Sequence, residues 1–346
     1  MSVFTPVSRA ELEAFLQRFQ LGRLVDFSGI LGGTENSNFF VATECGEYVL
    51  TLIERGSVDD LPFLVSLLGR LRQAGLPVPY AIADRDGQAG QQLNQRPALL
   101  QPRLPGRHVE HADASHCRAL GQALARLHDA TAGAAMQRRS DRGLDWMVAQ
   151  SEALIDVGDA ETRTLLEHTL PILLRLRDQR PALPEAVLHG DLFRDNVLFE
   201  GHHVTGIIDF YNAFSGWALY DVAICVNDWC LAQVGGLDER RAEALLAGYA
   251  GLRRFTPQEA EHWPDLLRVA ALRFWLSRQL AAQEHAAQAD VLIKNPAHFQ
   301  RLLECHRDVT VKVPLALCSA MQTAPAQLTG SGSEPGYQGV EFHCQA

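Results

Sequence analysis

H-G-D-L-F-R-D-N, residues 189–196, is the stretch that decides the fold of this 346-residue chain. It places Asn196 five positions after Asp191, and His189 two positions before it. A carboxylate in this position can orient an attacking hydroxyl and accept its proton, and an amide oxygen close behind can hold a metal ion. The H-x-D-x-x-x-x-N spacing is typical of the catalytic loop of kinases. A lone aspartate and asparagine at this spacing would more often form a turn or a helix cap, so the surrounding sequence has to decide.

A second carboxylate follows the next apolar stretch. The stretches 186–199 and 204–210 are separated by a turn at Gly201 and predict a β-hairpin flanked by polar loops. Asp209 stands at the end of the second stretch, where a carboxylate has no packing role and can bind Mg²⁺ that bridges phosphates. The combination of the loop spacing with this aspartate favours a phosphoryl-transfer site over a chance turn.

The first hundred residues predict a small β-rich lobe. Ser8 and Glu11 form a capping-box signature ahead of a helix, and a second helix is capped by Asp60 and ended by Gly75. Strands are predicted at residues 24–31, 38–43, 47–53, 80–84 and 97–101. From Ala114 onward the pattern is mainly helical.

Together these segments predict an α+β, two-lobed protein-kinase-like fold. A small N-lobe with an antiparallel sheet is expected at residues 1–101, and a larger, mostly helical C-lobe at 102–317. Residues 318–346 are poor in large apolar side chains, so we expect a disordered, non-catalytic tail.

The segment L-G-G-T-E-N-S-N-F-F lies between the first two predicted strands, where its backbone N–H groups and small hydroxyls could fold over the phosphates of ATP. A tight hairpin without a ligand would use much the same residues, so this interpretation depends on the catalytic loop. The connector after the last N-lobe strand could pair with adenine through backbone atoms. The predicted nucleotide-binding residues are Gly32, Gly33, Thr34, Glu35, Asn36, Ser37, Asn38, Gln101 and Arg103.

Composition excludes several other classes. The net charge of -10 disfavours a general nucleic-acid-binding surface. The seven cysteines are odd in number and widely spaced, which favours reduced thiols. The sequence has no P-loop motif, no targeting segment at its start and no run of about 18 apolar residues. We therefore expect a cytoplasmic protein with no membrane and no nucleic-acid partner.

These residues resemble the aminoglycoside-phosphotransferase superfamily, and more closely the bacterial homoserine kinases of that fold. The likeness runs from about residue 2 to 317, through T-E-N-S-N-F, Y-V-L-T-L, G-L-P-V-P, L-H-G-D-L-F-R-D-N-V-L, I-D-F-Y-N-A, N-D-W and R-F-W-L-S-R. It implies that ATP and Mg²⁺ serve to phosphorylate the side-chain hydroxyl of L-homoserine to O-phospho-L-homoserine, for threonine biosynthesis. The implied roles are Asp191 as catalytic base, His189 as the brace of the loop, Asn196 and Asp209 as metal ligands, and Asp221 as support from the following helix.

The sequence departs from the usual kinase pattern at the phosphate clamp. Kinases of this fold usually carry a lysine on the third strand, paired with a glutamate of the next helix. Here the only lysines are Lys294 and Lys312, Thr51 stands at the expected strand position, and residues 61–74 contain no glutamate. The homoserine kinases share the Y-V-L-T-L pattern, so we interpret the loss as a family variation. Arg55 and Arg103 are candidates for the missing charge.

The acceptor site is the least determined part of the sequence. Homoserine is a zwitterion, so its site should offer a cation to the carboxylate, an acid to the ammonium and walls that exclude water. Tyr211, Trp217, Asp228 and Arg273 are the predicted substrate-binding residues, although each could serve packing alone. Kinases of choline, methylthioribose, hydroxylysine or aminoglycosides share the loop and remain alternatives, as does a nucleotide-binding pseudokinase with a regulatory role. The oligomeric state leaves no mark in the sequence.

Overall fold

The computed structural model of the chain describes residues 3–30, 36–54, 58–232, 236–284, 295–308 and 310–315. The described residues divide into two compact units. The first contains the chain up to Val65 together with Tyr80–Arg103, and the second contains Ser66–Pro79 and Leu104–Leu315. The lobe boundaries at 101 and 317 stay a prediction, and the tail 318–346 lies outside the described residues.

The first unit is built on an antiparallel sheet. Its elements are helix α1 (Arg9–Leu16) and strands β1 (Leu24–Gly29), β2 (Ser37–Thr43), β3 (Gly46–Leu52), β4 (Gln91–Leu93) and β5 (Arg96–Pro102), in the sheet order β1-β2-β3-β5-β4. Helix α1 begins where the sequence predicts, because the Ser8 side chain accepts from the Glu11 N–H and the Glu11 carboxylate accepts from the Ser8 N–H. Its buried residues Leu12 and Phe15 belong to the same apolar core as Leu50 of β3.

One strand of this sheet differs from the sequence prediction. Residues 80–84 were expected to form a strand but are irregular, with the Ile82 N–H donating to the Leu100 carbonyl at 2.8 Å. The edge strand of the sheet is instead β4. A turn at Asn94 and Gln95, both at positive φ, connects it to β5. Such a two-residue turn favours Asn-Gly or Asp-Gly, so a glutamine at the second position gave no turn signal.

The second unit is mainly helical. Helix α2 (Leu61–Gln73) crosses the boundary between the units at Val65. The further elements are α3 (Ala114–Thr131), α4 (Leu144–Val157), α5 (Ala160–Gln179), β6 (Glu185–Leu188), β7 (Val197–Glu200), β8 (His203–Ile207), β9 (Phe214–Trp217), α6 (Ala218–Trp229), α7 (Glu239–Ala250), α8 (Pro257–Glu284) and α9 (Ala297–Cys305). Strands β7 and β8 form the hairpin that the sequence predicts, with Gly201 at φ 57° in its turn, and β6 pairs with β9.

Helix α6 lies at the centre of the second unit. Every residue from Ala218 to Trp229 is buried, so this helix is apolar on nearly all sides. Its buried polar residues are Asp221, Asn227 and Asp228. A buried polar or charged group is costly unless it is hydrogen-bonded, so the partners of these three side chains decide what the helix does.

Helices α3 and α7 pack at close range beside it. A Cβ atom at Gly121 would collide with the Leu245 carbonyl, and one at Gly248 would collide with the Arg118 carbonyl. Glycine at both positions therefore allows the two backbones to approach. None of the helices in the described ranges is both long and apolar enough to cross a membrane.

Candidate active site

The catalytic-loop segment 189–196 connects β6 to β7 and folds back on itself. The Phe193 N–H donates to the Asp191 carbonyl at 2.8 Å, and the Asn196 N–H donates to the Phe193 carbonyl at 2.9 Å. Gly190 has φ 77°, and a Cβ there would lie 2.8 Å from the Asn212 carbonyl oxygen. A glycine is required between His189 and Asp191 for both reasons.

Asp221 of α6 fixes the start of this loop. Its Oδ2 accepts from the His189 N–H at 2.8 Å, and its Oδ1 accepts from the Gly190 N–H at 2.9 Å. The same carboxylate lies 3.2 Å from Nε2 of His128 on α3, whose Nδ1 is 2.8 Å from the hydroxyl of Tyr249 on α7. The structure thus places Asp221 where the sequence predicts loop support, on a helix held by the close α3–α7 packing.

The charge state of Asp221 follows from these contacts. Burial alone would raise the pKa of its carboxyl, but the hydrogen bond and charge of His128, the nearby His189 and the Gly190 N–H outweigh that effect and lower the pKa. The carboxylate is therefore ionised at neutral pH. An ionised acceptor makes stronger hydrogen bonds to the backbone N–H groups than a neutral one would.

The same face of α6 holds the rest of the loop. The Leu192 carbonyl accepts from the Trp229 indole N–H at 3.0 Å and from the Cys225 thiol at 3.7 Å. Asp228 accepts from the Arg194 N–H at 2.9 Å. Positions 221, 225 and 228 are neighbours at helical spacing, so one stripe of α6 contacts the loop along its length. Helical periodicity from Asp221 could have suggested Cys225 and Trp229, which the sequence analysis missed.

His189 joins the loop to the segment that carries Asp209. Its side chain is fully buried, its Nδ1 accepts from the Asp191 N–H at 3.3 Å and its Nε2 donates to the Ile208 carbonyl at 2.9 Å. Burial lowers the pKa of the ring, although the charge of Asp221 opposes that effect. A neutral imidazole with its proton on Nε2 satisfies both contacts.

Asn196 and Asp209 are brought together by backbone pairing. The Ile208 N–H donates to the Asn196 carbonyl at 3.0 Å, one residue before Asp209. Asp209 has φ 66° and ψ 58°, a left-handed conformation that aspartate tolerates better than most residues. The Asn196 Nδ2 donates to the Asp191 carbonyl at 2.8 Å, so Oδ1 is the atom of this amide that could bind a cation. The result is an all-oxygen donor set, which is the kind that Mg²⁺ prefers.

The predicted nucleotide loop is described only in part. Gly32, Gly33, Thr34 and Glu35 lie outside the described residues. Asn36 accepts from the Glu54 N–H at 3.3 Å, and the buried Ser37 hydroxyl donates to the Glu54 carboxylate at 2.5 Å. Both side chains therefore fasten the start of β2 to the end of β3. Their role toward a nucleotide stays a prediction.

Thr51, at the strand position where kinases of this fold usually carry a lysine, makes a hydrogen bond within the sheet. Thr51 on β3 is 2% exposed, and its hydroxyl donates at 2.6 Å to Oδ1 of Asn38, its cross-strand partner. Arg103 pairs with Glu47 at 3.3 Å, and its guanidinium lies 4.3 Å from the centre of the Phe40 ring. Arg103 therefore already has an acidic and an aromatic partner within the first unit.

Of the two remaining candidates for nucleotide contacts, the structure describes Gln101 but not Arg55. Gln101 is buried on β5 opposite Val49 of β3. Arg55, the second candidate for the clamp, lies outside the described residues. The identity of the group that holds the phosphates therefore stays a prediction.

A cleft of about 520 Å³ opens beside the catalytic loop within the second unit. Its walls include Phe193, Arg194, Asp195, Asp228, Arg278 and His298. Asp228, one of the predicted substrate residues, therefore lies in this cleft, where it also pairs with the Arg194 side chain at 3.3 Å. Arg278 and His298 were not among the predicted substrate residues, although Arg278 ends the quoted segment R-F-W-L-S-R.

The other three predicted substrate residues do not line this cleft. Arg273 is 4% exposed, with its guanidinium 4.0 Å from the centre of the Phe274 ring. Trp217 lines a separate cavity of about 380 Å³ together with Tyr220. The Tyr211 carbonyl accepts from the Arg138 guanidinium at 2.8 Å. Asp228 and Trp217 thus line two different cavities, because spacing along the chain could not show which side of each element faces the loop.

An antiparallel sheet followed by a mainly helical unit with an H-x-D-x-x-x-x-N loop is the organisation of protein-kinase-like phosphotransferases. Residues 26–255 match the phosphotransferase enzyme family, and the chain belongs to that family. It is 56% identical over 317 residues to a homoserine kinase of Pseudomonas aeruginosa (strain PAO1), covering 92% of this chain and 100% of the relative. It is 40% identical over 304 residues to a homoserine kinase of Methylobacillus flagellatus, covering 88% and 95%. The resemblance predicted from the sequence is confirmed.

Solved structures agree on the fold. An amicoumacin kinase in complex with AMP-PNP and Ca²⁺ has a TM-score of 0.66 at 16% identity, over 91% of this chain and 97% of that one. A spectinomycin phosphotransferase in complex with ADP and spectinomycin has a TM-score of 0.61 at 12% identity, over 91% and 99%. The predicted two-lobed, protein-kinase-like fold class is confirmed.

Proposed function

We propose that this chain transfers the γ-phosphoryl group of ATP to the side-chain hydroxyl of L-homoserine and releases O-phospho-L-homoserine and ADP, as a step of threonine biosynthesis. The observation that carries the chemistry is the loop at Asp191, which α6 holds from Asp221 to Trp229. The acceptor is supported by the 56% identity to a homoserine kinase along that relative's full length.

In this proposal Asp191 acts on the acceptor hydroxyl. Its carboxylate orients the hydroxyl and takes its proton while the oxygen attacks the γ-phosphorus and ADP leaves. Such general-base assistance is worth about 10²- to 10⁴-fold in rate. The hydrogen bonds that the loop backbone makes to α6 keep the carboxylate in position, and positioning is a large part of phosphoryl-transfer catalysis.

Asn196 and Asp209 are the residues that would hold Mg²⁺. The ion supplies positive charge that offsets the phosphate charges of ATP. The hydrogen bond from the Ile208 N–H to the Asn196 carbonyl brings the two chain segments together, and the Asn196 Nδ2 donates to the Asp191 carbonyl, which supports Oδ1 as the ligand atom. His189 keeps the two segments at a fixed spacing through its contact with the Ile208 carbonyl.

The nucleotide site and the cellular location complete the proposal. The segment 32–38 and the connector at Gln101 and Arg103 would bind ATP, with Arg55 or Arg103 supplying the charge of the missing lysine. An enzyme that consumes ATP for amino-acid biosynthesis would work in the cytoplasm. Its partners would be small molecules, homoserine and Mg-ATP.

An ATP-consumption assay with a panel of acceptors tests the proposal. The purified chain would be given Mg-ATP with homoserine, choline, hydroxylysine, methylthioribose or an aminoglycoside, and ADP release would be measured. We expect the highest kcat/KM with homoserine, and mass spectrometry should find a phosphorylated homoserine. Preference for another acceptor would replace the substrate, and ADP release no faster than in Asp191→Ala for every acceptor would favour the pseudokinase alternative.

A further inference from the structure

The cleft beside the catalytic loop carries an uneven set of charges. Its walls come from residues 108–110, from the catalytic loop, from α6, from α8, from Asn295 and from α9, all in the second unit. Phe193, Arg194 and Asp195 lie two to four positions after Asp191 in the chain, and the charge of Asp191 acts on Arg278, so the cleft lies near the catalytic carboxylate. The charged groups of these walls therefore decide which acceptor can bind.

Two of the basic groups in the cleft are already satisfied or neutral. Arg194 pairs with Asp228 at 3.3 Å and also donates to the Glu110 carbonyl at 3.3 Å. Burial lowers the pKa of His298, and the positive charges of Arg278 and Arg194 lower it further, although the charge of Asp228 opposes them. The His298 ring is therefore uncharged near neutral pH.

Arg278 is the arginine of the cleft that has no described carboxylate in contact. Its Nη1 donates to the Asn295 carbonyl at 3.3 Å, and its guanidinium lies 4.3 Å from the centre of the Phe299 ring. No described aspartate or glutamate lies within 4.0 Å of it, whereas Arg194 has Asp228. Phe299 is fully buried and is stacked against Phe274, so the guanidinium rests on a fixed aromatic base.

The surroundings of Arg278 favour a ligand with a negative group. Burial lowers the pKa of its guanidinium, while the more distant carboxylates of Asp228, Asp191 and Asp195 act in the opposite direction. A partly buried guanidinium that is held at one edge presents its remaining N–H groups as a fork. That fork matches the two oxygens of a carboxylate.

We propose that Arg278 binds the α-carboxylate of the acceptor and thereby selects an amino acid over an amino alcohol. This inference rests on the proposed function. The hydroxyl end of homoserine must reach Asp191, and the carboxylate is at the other end of the same short molecule. Arg278 then takes the role that the sequence assigned to Arg273, which is buried against Phe274.

Two acceptors that differ only in the carboxylate test the inference. L-homoserine and 3-amino-1-propanol share the hydroxyl and the amine, and the second lacks the carboxylate. We expect Arg278→Met to lower kcat/KM for homoserine by about 100-fold, mainly through KM, because a charge-assisted pair is lost. The value for 3-amino-1-propanol should change by less than about threefold, and the KM for ATP should not change.

Matched variants separate binding from folding. Arg278→Lys keeps the charge without the fork and should lose about tenfold with homoserine, which is intermediate. Arg301→Met, at an exposed arginine of α9 outside the cleft, should leave both acceptors unchanged. Thermal unfolding of each variant would show whether the fold is kept.

The possible failures are distinguishable. If wild type uses homoserine and Arg278→Met lowers both acceptors equally, or neither, the inference is wrong and the proposed function stands. If wild type does not phosphorylate homoserine, both are wrong. A loss confined to homoserine supports the carboxylate contact.

Discussion

Replacing Asp221 with asparagine would remove the acceptor that fixes the catalytic loop. The His189 and Gly190 N–H groups bind different oxygens of the carboxylate, at 2.8 and 2.9 Å. An asparagine has one carbonyl oxygen, so either orientation places its NH₂ group against a backbone N–H. One buried donor is then unsatisfied, which lowers the free energy of unfolding by about 1–3 kcal/mol. The remaining hydrogen bonds no longer involve a charged acceptor, which lowers it by about 1 kcal/mol for each bond.

The expected total for Asp221→Asn is a loss of about 3–5 kcal/mol in the free energy of unfolding, a large part of a typical stability. Because Asp191 moves with the loop, we also expect kcat to fall about 100-fold in the fraction that stays folded. Urea denaturation followed by tryptophan fluorescence, together with steady-state kinetics, measures both. Asp178→Asn is the control, since its exposed carboxylate pairs with the neighbouring Arg177 and its loss should cost less than about 1 kcal/mol. If Asp221→Asn is no less stable than this control and keeps its turnover, the assigned role of α6 is wrong.

Four further changes have defined outcomes. Asp191→Ala should fold and bind Mg-ATP but turn over about 10²- to 10⁴-fold more slowly, and an unchanged rate would exclude it as the base. Asp209→Asn should require more Mg²⁺ for half-maximal activity, because one carboxylate ligand is lost, and an unaltered Mg²⁺ titration would contradict that role. Thr51→Ala should cost about 1 kcal/mol of stability through its bond to Asn38 and change the KM for ATP by less than tenfold, whereas a larger change would make Thr51 a phosphate contact. Burial, aided by the charge of Arg268, lowers the pKa of His306 from 6.5 to about 4. Between these two pH values His306 is therefore protonated in the unfolded chain and neutral in the folded chain. Stability should therefore fall by up to about 3 kcal/mol as the pH drops from about 6.5 to about 4, and His306→Gln should make the Tm less dependent on pH in that range.

Much of the active-site framework could be predicted because it is local in sequence. The loop spacing from His189 to Asn196, the strand end at Asp209 and the hairpin turn at Gly201 each depend on neighbouring residues, and the structure contains that hairpin as predicted. The capping box at Ser8 is equally local and is present. The fold class followed from these elements together with the family resemblance.

The parts that could not be predicted depend on contacts between distant residues. Nothing local shows that Arg278 reaches the cleft of the catalytic loop whereas Arg273, five residues earlier, is buried against Phe274. The edge strand β4 was missed because its turn uses a glutamine at positive φ, stabilised by the rest of the sheet. The partners of Asp228 were equally unpredictable, because Arg194 meets it only in the folded chain.

The burial of α6 has a consequence for how the enzyme would lose activity. The same helix fills the core of its unit and accepts the loop N–H groups of His189 and Gly190. These two amides can exchange with solvent only when Asp221 withdraws, and that requires the centre of the unit to open. Their hydrogen exchange should therefore be as slow as that of the helix itself. Release of the loop would require the core around Asp221 to open, so we expect no inactive state in which the core stays intact. Heat inactivation and global unfolding of this unit should therefore occur together.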